Sequence, residues 1–185
     1  MYTGGTTGVS KGAQLTHKNV LVNAYQCKVW LNAREAQEVV MTALPLYHSY
    51  AMTTCMNLGT IMAATMVLIP DPRDLEDVLK SIDKYKPTLY PGVPAMYVAI
   101  NNYPDLSKYD VSSLKACISG AAGLPVEVQQ RFQELTGARL VEGYGLSEAS
   151  PVTHANPIFG ENRVGTIGVP WPDTEAKIVD ADTGE

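Results

Sequence analysis

The sequence lacks the features of a nucleic-acid-binding, secreted or disulfide-bonded protein. Fourteen basic residues stand against nineteen acidic ones, and no cluster of Lys and Arg would track a nucleic-acid backbone. No basic and then apolar segment follows Met1, so we expect no signal peptide. Cys27, Cys55 and Cys117 are too widely spaced for a metal-binding or redox motif. We therefore expect a cytoplasmic protein with buried thiols and no nucleic-acid partner.

Charged residues are absent from the whole stretch Val39–Pro70. A run of this length without charge is formally a candidate membrane span. Pro45, Asn57 and Gly59 interrupt it, together with six Ser or Thr residues, and they divide it into a strand, a loop, a helix and another strand. We expect a buried strand-helix-strand unit, and a peripheral contact with a membrane is left open.

Glycines, hydroxyl groups and one lysine are concentrated in the segment Tyr2–Gly12. The glycines let backbone N–H groups converge on anionic oxygens, and the threonines and Lys11 add donors and a positive charge. A P-loop of nucleotide triphosphatases needs Gly-Lys followed by Ser or Thr. Here Ser10 precedes Lys11 and Gly12 follows it. The composition predicts a phosphate-binding loop of a different kind, in preference to a mobile surface loop.

The loop resembles the phosphate loop of the adenylate-forming (AMP-binding) enzymes, which include the acyl-CoA synthetases. Most members of that superfamily have Ser at the position of Gly4 and Pro at the position of Ser10. Gly-Gly-Thr-Thr-Gly followed by a residue other than proline resembles the long-chain fatty acyl-CoA synthetase branch. The resemblance assigns catalytic roles to Thr6 and Lys11. It implies that the phosphates of ATP are bound by Thr3, Gly4, Gly5, Thr6, Thr7, Gly8 and Lys11.

A second motif follows the short predicted strand 140–142. Gly143-Tyr144-Gly145-Leu146-Ser147-Glu148 resembles the family's Tyr-Gly-x-Thr-Glu motif, with Ser147 in place of the usual threonine. The resemblance implies that Gly143, Tyr144, Gly145 and Ser147 bind the nucleotide. In this arrangement Tyr144 stacks on adenine, and Ser147 hydrogen-bonds the α-phosphate. Glu148 is a hard oxygen ligand, so the resemblance gives it a catalytic role as the Mg²⁺ ligand.

The same stretch is one residue away from the G-x-S-x-G nucleophile elbow of α/β-hydrolases, with Ser147 as the nucleophile. The elbow requires a helix directly after the serine, and Pro151 and Pro157 oppose one there. His154 is the only later histidine. The hydrolase therefore stays a weak alternative.

Three further segments match weaker family motifs. The resemblance places His48 beside the carboxylate of the acyl substrate, as a catalytic and substrate-binding residue. A histidine hydrogen-bonded to a neighbouring carbonyl group is an equally good interpretation of His48. Gly120, Ala121 and Ala122 are implied to lie against the adenine and ribose of ATP, although tight strand-helix packing explains such small residues as well. The resemblance places Gly92, Val93 and Pro94 along the acyl pocket.

Predicted strands and helices alternate from Val39 to Glu142, so we expect an α/β fold with a mostly parallel sheet and flanking helices. Thr16 is a predicted N-cap, and Met52–Ala63 is a predicted buried helix. The C-terminal end is loop- and strand-rich, with an isolated strand predicted over Ala176–Val179.

The resemblance implies that residues 1–185 are part of the large N-terminal domain of such an enzyme. Residues 1–157 would be the ATP- and acyl-binding part, and residues 158–185 would begin a β-rich subdomain. The ribose-binding aspartate and the C-terminal lid would lie beyond this chain, so we expect the isolated chain to be nearly inactive.

The implied function is that of a fatty acid–CoA ligase with ATP, CoA and a fatty acid as substrates and Mg²⁺ as cofactor. A non-catalytic AMP- or ATP-binding module is the alternative of a different class. Medium-chain or aryl acids are alternative substrates, and the sequence leaves a homodimer open.

Overall fold

In the computed structural model, which describes residues 1–3 and 8–185, a mostly parallel sheet lies between helices. The short strands β1 and β2 form an antiparallel pair of their own. The strands are β1 Tyr2–Thr3, β2 Lys11–Gly12, β3 Val39–Thr42, β4 Thr65–Leu68, β5 Leu89–Gly92, β6 Ala116–Ser119, β7 Arg139–Gly145, β8 Val152–Ala155 and β9 Val169–Pro170. The α/β fold predicted from the sequence is therefore confirmed.

In the described part of the chain, the main sheet has seven strands in the order β4-β3-β5-β6-β7-β8-β9. The pairs from β4 to β7 are parallel, whereas β7–β8 and β8–β9 are antiparallel. Crossover helices connect the parallel strands, so the carboxyl ends of β3, β5, β6 and β7 lie at one edge of the sheet. That edge is where open α/β sheets bind their ligands.

Helices cover both faces of this sheet. The α-helices are α1 His17–Trp30, α2 Ser49–Ala51, α3 Leu58–Ile61, α4 Leu75–Tyr85, α5 Pro94–Asn101 and α6 Val126–Thr136. A π-helical segment, Met52–Asn57, joins α2 to α3 without a break. The expected buried helix over 52–63 therefore begins at Ser49 and is π-helical in its middle. Single 3₁₀ turns occur at Leu106–Lys108 and Ser147–Ala149.

Successive strand residues point alternately into two hydrophobic clusters, as the two-residue period of a strand requires. In β3 the side chain of Met41 packs beneath α4, α5 and α6, whereas that of Val40 packs beneath α1 and the 49–61 helical stretch. In β7 Leu140 and Val141 divide in the same way. Both faces of the central strands are thus buried, which explains their continuous apolar sequences.

Local sequence features set the helix ends. Thr16 is the N-cap of α1, as predicted: its hydroxyl accepts from the backbone N–H of Asn19, and the Asn19 side chain accepts from the N–H of Thr16. Asp74 caps α4 in a similar way. Gly137, with φ of 72°, ends α6 in the left-handed conformation that glycine favours.

The C-terminal end differs from one expectation. Residues 176–179 form no strand, and Ile178 is fully exposed. A strand needs a neighbour to pair its backbone groups, and the antiparallel extension of the sheet ends at β9. The charge-free run 39–70 forms the expected strand-helix-strand unit, but only its first strand and its helix are buried: β4 is the end strand of the described sheet, and its Met66 and Leu68 side chains are exposed. Among the described residues, the helices are too short or too polar for a transmembrane segment.

Candidate functional site

A cavity of about 250 Å³ opens at the carboxyl ends of β6 and β7. It brings together residues from three of the segments that the sequence singled out, which lie far apart along the chain. Its lining residues are His48, Ser49, Tyr50, Ile118, Gly120, Ala121, Gly143, Tyr144, Gly145, Leu146, Ser147, Pro151 and Val152.

The cavity exists because β7 changes partner along its length. Its first half pairs in parallel with β6 as far as Ser119 and Glu142. From Gly143 onward it pairs with β8 instead, on its other side. The chains that leave β6 and β7 therefore diverge beyond Ser119 and Glu142. We call this divergence the β6/β7 fork.

The floor of the fork is the buried ring of Tyr50. A Cβ atom at Gly120 would lie 3.1 Å from two atoms of this ring, so a side chain there would displace it. The Tyr50 hydroxyl donates a 2.7 Å hydrogen bond to the carbonyl oxygen of Ile118. Burial, reinforced by the nearby Cys55 thiol, raises the pKa of this phenol well above its usual value. Tyr50 therefore remains a neutral hydrogen-bond donor.

His48 stands at the rim of the cavity and is exposed. It is the N-cap of α2, and its Nδ1 atom accepts a 3.2 Å hydrogen bond from the backbone N–H of Tyr50. In the neutral ring the proton is then on Nε2, which is the nitrogen left for a ligand. The capping contact explains why a histidine is held here without excluding the predicted role beside an acyl carboxylate.

The motif from Tyr144 to Glu148 forms the second wall of the cavity. Tyr144 is half exposed and packs edge-on against His154, with ring centroids 6.3 Å apart. The Ser147 hydroxyl lies 3.1 Å from the Ser49 hydroxyl. Glu148 is exposed, and its Oε1 atom lies 3.5 Å from the Thr3 hydroxyl, at the long limit of a hydrogen bond. The last contact connects the first predicted site segment to the second.

The predicted phosphate loop is framed by the β1–β2 pair, in which Thr3 stands opposite Lys11. Gly8 has φ of 80°, and a Cβ atom placed there would have no neighbour within 4 Å. Lys11 is exposed and is not one of the residues that line the cavity. The predicted ligands Gly4, Gly5, Thr6 and Thr7 lie outside the described residues.

Besides Thr3, Gly8, Lys11 and Glu148, four more of the predicted site residues do not line this cavity. Ala122 is exposed just beyond its rim. Gly92 is buried at the end of β5, where a Cβ atom would lie 2.8 Å from the Tyr97 hydroxyl. Val93 packs against the cluster beneath α1, and Pro94 begins α5. Their assignment to the adenine side and to the acyl pocket stays a prediction.

Several supporting residues were missed from the sequence. Ser49 and Tyr50 line the cavity, and Thr53 donates a 3.2 Å hydrogen bond to the carbonyl oxygen of Ser150. Asn23 of α1 pairs with both backbone groups of Val152. Polar side chains on the buried face of an apolar helix were the available clue, because such groups need partners. The sequence did not identify those partners.

The segment after Ser147 lacks the geometry of a nucleophile elbow. Ser147 begins a single 3₁₀ turn, and the chain then continues into β8. An elbow needs a helix at this point. His154 lies in β8, and its Nδ1 atom is 2.9 Å from the neighbouring Thr153 hydroxyl. The arrangement gives the hydrolase alternative no support.

Comparison with known proteins identifies the family of this chain. The family model described as AMP-binding enzyme matches residues 1–185. The chain belongs to the AMP-binding enzyme family. Over its whole length it is 52% identical to a long-chain-fatty-acid–CoA ligase of Bacillus subtilis, of which it covers 33%. The chain thus spans about a third of the length of the curated relatives that it matches.

Solved structures of AMP-binding enzymes share the fold. The anthranilate CoA ligase AuaEII, in complex with anthranoyl-AMP, superimposes with a TM-score of 0.89 at 28% identity, covering 100% of this chain and 35% of that one. ATP-bound MatB from Rhodopseudomonas palustris superimposes with a TM-score of 0.88 at 28% identity, covering 100% and 36%.

Proposed function

We propose that this AMP-binding chain carries the nucleotide and acyl site of a fatty acid–CoA ligase, with a long-chain fatty acid as the substrate. The carboxylate attacks the α-phosphorus of ATP to form acyl-adenylate and pyrophosphate, and the thiol of CoA then displaces AMP. The observation that carries the proposal is the cavity shared by His48, the Gly120 turn and the Tyr144–Ser147 segment. The 52% identity to a long-chain ligase supports the substrate class.

The roles follow from position and chemistry. Tyr144 offers a half-exposed ring on which adenine stacks, and the Gly120–Ala121 backbone leaves room for a flat ligand. Ser147 donates to the α-phosphate. His48, at the rim of the cavity, borders the acyl carboxylate and holds it in line for attack. Thr3, Lys11 and the loop between them bind the β- and γ-phosphates.

Glu148 and the Thr3 hydroxyl are the residues that would hold Mg²⁺. Both are hard oxygen donors within 3.5 Å of each other, and Mg²⁺ is commonly held by one or two protein oxygens together with substrate phosphates and water. The ion, when bound, neutralises phosphate charge. We also propose that residues 1–157 are the ATP- and acyl-binding part of a larger domain and that 158–185 begin a β-rich subdomain.

The test is fatty-acid-dependent exchange of pyrophosphate into ATP by the intact protein and its Glu148→Gln variant. Removing the metal carboxylate should lower kcat at least about 100-fold, because phosphoryl charge is then poorly stabilised. AMP binding should persist. Glu127→Gln, on the exposed side of α6, is the matched control and should keep full activity.

Three outcomes separate the candidates. Exchange that depends on Glu148 and is fastest with long-chain acids supports the proposal. Exchange that is fastest with medium-chain or aryl acids would keep the ligase and replace the substrate class. AMP binding without exchange for any acid would replace the ligase with a non-catalytic nucleotide-binding module.

A further inference from the structure

The 49–61 helical stretch contacts the 3₁₀ turn Ser147–Ala149 at its two ends. Ser49 lies against the beginning of the turn, with 3.1 Å between its hydroxyl and that of Ser147. Thr53, one helical turn later, donates to the carbonyl oxygen of Ser150 at the end of the turn. Thr53 therefore fixes the main chain, whereas Ser49 contacts only the side chain that faces the cavity.

The Ser49 hydroxyl has no alternative partner within residues 1–3 and 8–185. Its residue is 1% exposed, and Ser147 is the sole hydrogen-bond partner of its Oγ atom in that part of the chain. Ser147 is less buried and lines the cavity. Both residues line the cavity, but Ser147 is the more exposed of the two, and the Ser49 hydroxyl is buried against it.

The direction of the bond follows from counting protons. Each serine hydroxyl has one proton to donate and two lone pairs to accept with. If Ser147 donates to a phosphate oxygen, it has no proton left for Ser49, so Ser49 must donate to Ser147. If Ser147 instead donated to Ser49, its lone pairs would face the negative phosphate. Successive hydrogen bonds in one direction also polarise one another.

We propose that Ser49 is a positioning residue: its buried hydroxyl orients the Ser147 proton toward the α-phosphate of the nucleotide. Ser49 follows His48 directly in the chain, so the loop at the acyl side of the cavity and the phosphate side become connected through one hydrogen bond. The inference rests on the proposed function in one respect, because it takes Ser147 as the ligand of the α-phosphate.

The experiment is a double-mutant cycle on the affinity for AMP, with adenosine as the ligand that lacks the phosphate. Ser49→Ala should weaken AMP binding about three- to tenfold, the size of one net hydrogen bond, and leave adenosine binding unchanged. Ser147→Ala should weaken AMP binding at least as much. The double variant should bind AMP no more weakly than Ser147→Ala alone, because Ser49 acts through Ser147.

Two substitutions of equal size isolate the hydroxyl from the packing. Ser49→Thr keeps the hydroxyl donor, whereas Ser49→Val replaces it with a methyl group. The threonine variant should therefore bind AMP about three- to tenfold more tightly than the valine variant. Ser113→Ala removes a hydroxyl that has no hydrogen-bond partner among the residues the structure describes and does not line the cavity. It should change neither affinity. Thermal melts of the free variants check that each is folded.

Each result decides the matter. Equal losses for AMP and adenosine, no loss for Ser49→Ala, or multiplying effects in the double variant would overturn the positioning role. If the protein binds AMP but exchanges no pyrophosphate, the ligase proposal fails while the ratio of AMP to adenosine affinity still judges Ser49. If the intact protein does not bind AMP, both proposals are wrong.

Discussion

Asn23 should contribute more to stability than other polar residues of α1, because its side chain pairs with the backbone of β8 as a neighbouring strand would. It is 4% exposed, and its Oδ1 atom accepts from the N–H of Val152 at 3.1 Å, while its Nδ2 atom donates to the carbonyl oxygen of Val152 at 2.8 Å. The neighbouring strand β9 pairs only with His154 and Ala155. Asn23 therefore satisfies the part of β8 that β9 does not reach.

The magnitude of Asn23→Ala follows from these two bonds. The substitution leaves an N–H and a C=O group of Val152 without partners, and Val152 is 6% exposed. A buried polar group left unsatisfied costs about 1–3 kcal/mol. We therefore expect the free energy of unfolding to fall by roughly 2–5 kcal/mol. For a protein of this size that corresponds to a melting temperature lower by roughly 5–15 °C.

The assay is urea-induced and thermal unfolding of the protein and two variants. Gln130→Ala, on the exposed face of α6, removes a similar amide and should change the unfolding free energy by less than about 0.5 kcal/mol. A loss for Asn23→Ala as small as that of the control would refute the reasoning, because water would then be replacing both hydrogen bonds.

Three further predictions concern packing, pH and thiol reactivity. In Gly145→Ala the new Cβ atom would lie 2.3 Å from the carbonyl oxygen of Pro151, so unfolding should become easier by about 1–3 kcal/mol. Burial acts to raise the pKa of Glu38, but hydrogen bonds from Thr88 and Arg34 outweigh it and hold the pKa below its usual value. The ionised Glu38 carboxylate therefore stabilises the fold at any pH above the pKa that this group has in the unfolded chain. As the pH falls through the lower pKa of Glu38 in the folded protein, the wild type should lose stability faster than Glu38→Gln. Burial raises the pKa of Cys55 to about 12, so a disulfide reagent at pH 8 should modify it only after unfolding. Cys27 and Cys117 are buried as well, so the reagent should modify these two thiols only after unfolding.

Each of these predictions has its own control. Gly123→Ala meets its nearest neighbour at 4.0 Å and should leave stability within about 0.5 kcal/mol of the wild type. Equal acid sensitivity of the wild type and Glu38→Gln would disprove the role given to that carboxylate. Guanidinium-unfolded protein should titrate all three thiols, and rapid modification of the folded protein would contradict their burial.

The predicted site residues that share the cavity belong to motifs that are encoded locally in the sequence. The Tyr144–Glu148 motif and the Gly120 turn were singled out because each is a short run of consecutive residues that resembles a family motif. Ser49 and Thr53 were missed because their partners are 98 and 97 residues away. An amphipathic pattern shows which face is buried, but it does not show what lies opposite.

Two differences in secondary structure have a similar origin. The strand predicted over 176–179 has an apolar pattern but no neighbour to pair with. The π-helical segment within 52–57 differs from an α-helix by less than one residue per turn, and six residues are too few for a hydrophobic period to reveal it. Strand pairing and helix winding were decided by tertiary contacts in both places.

At the β6/β7 fork, the course of the main chain holds the site open, whereas the side chains that line the cavity give the site its chemistry. Its frame is main chain, since it is set by where β7 leaves one partner for another. Substitutions of exposed rim side chains such as His48 and Tyr144 can therefore accumulate without closing the opening, whereas Gly120 and Gly145 have no room for a side chain. A lineage that inherits such a frame can change its substrate while its fold remains constant.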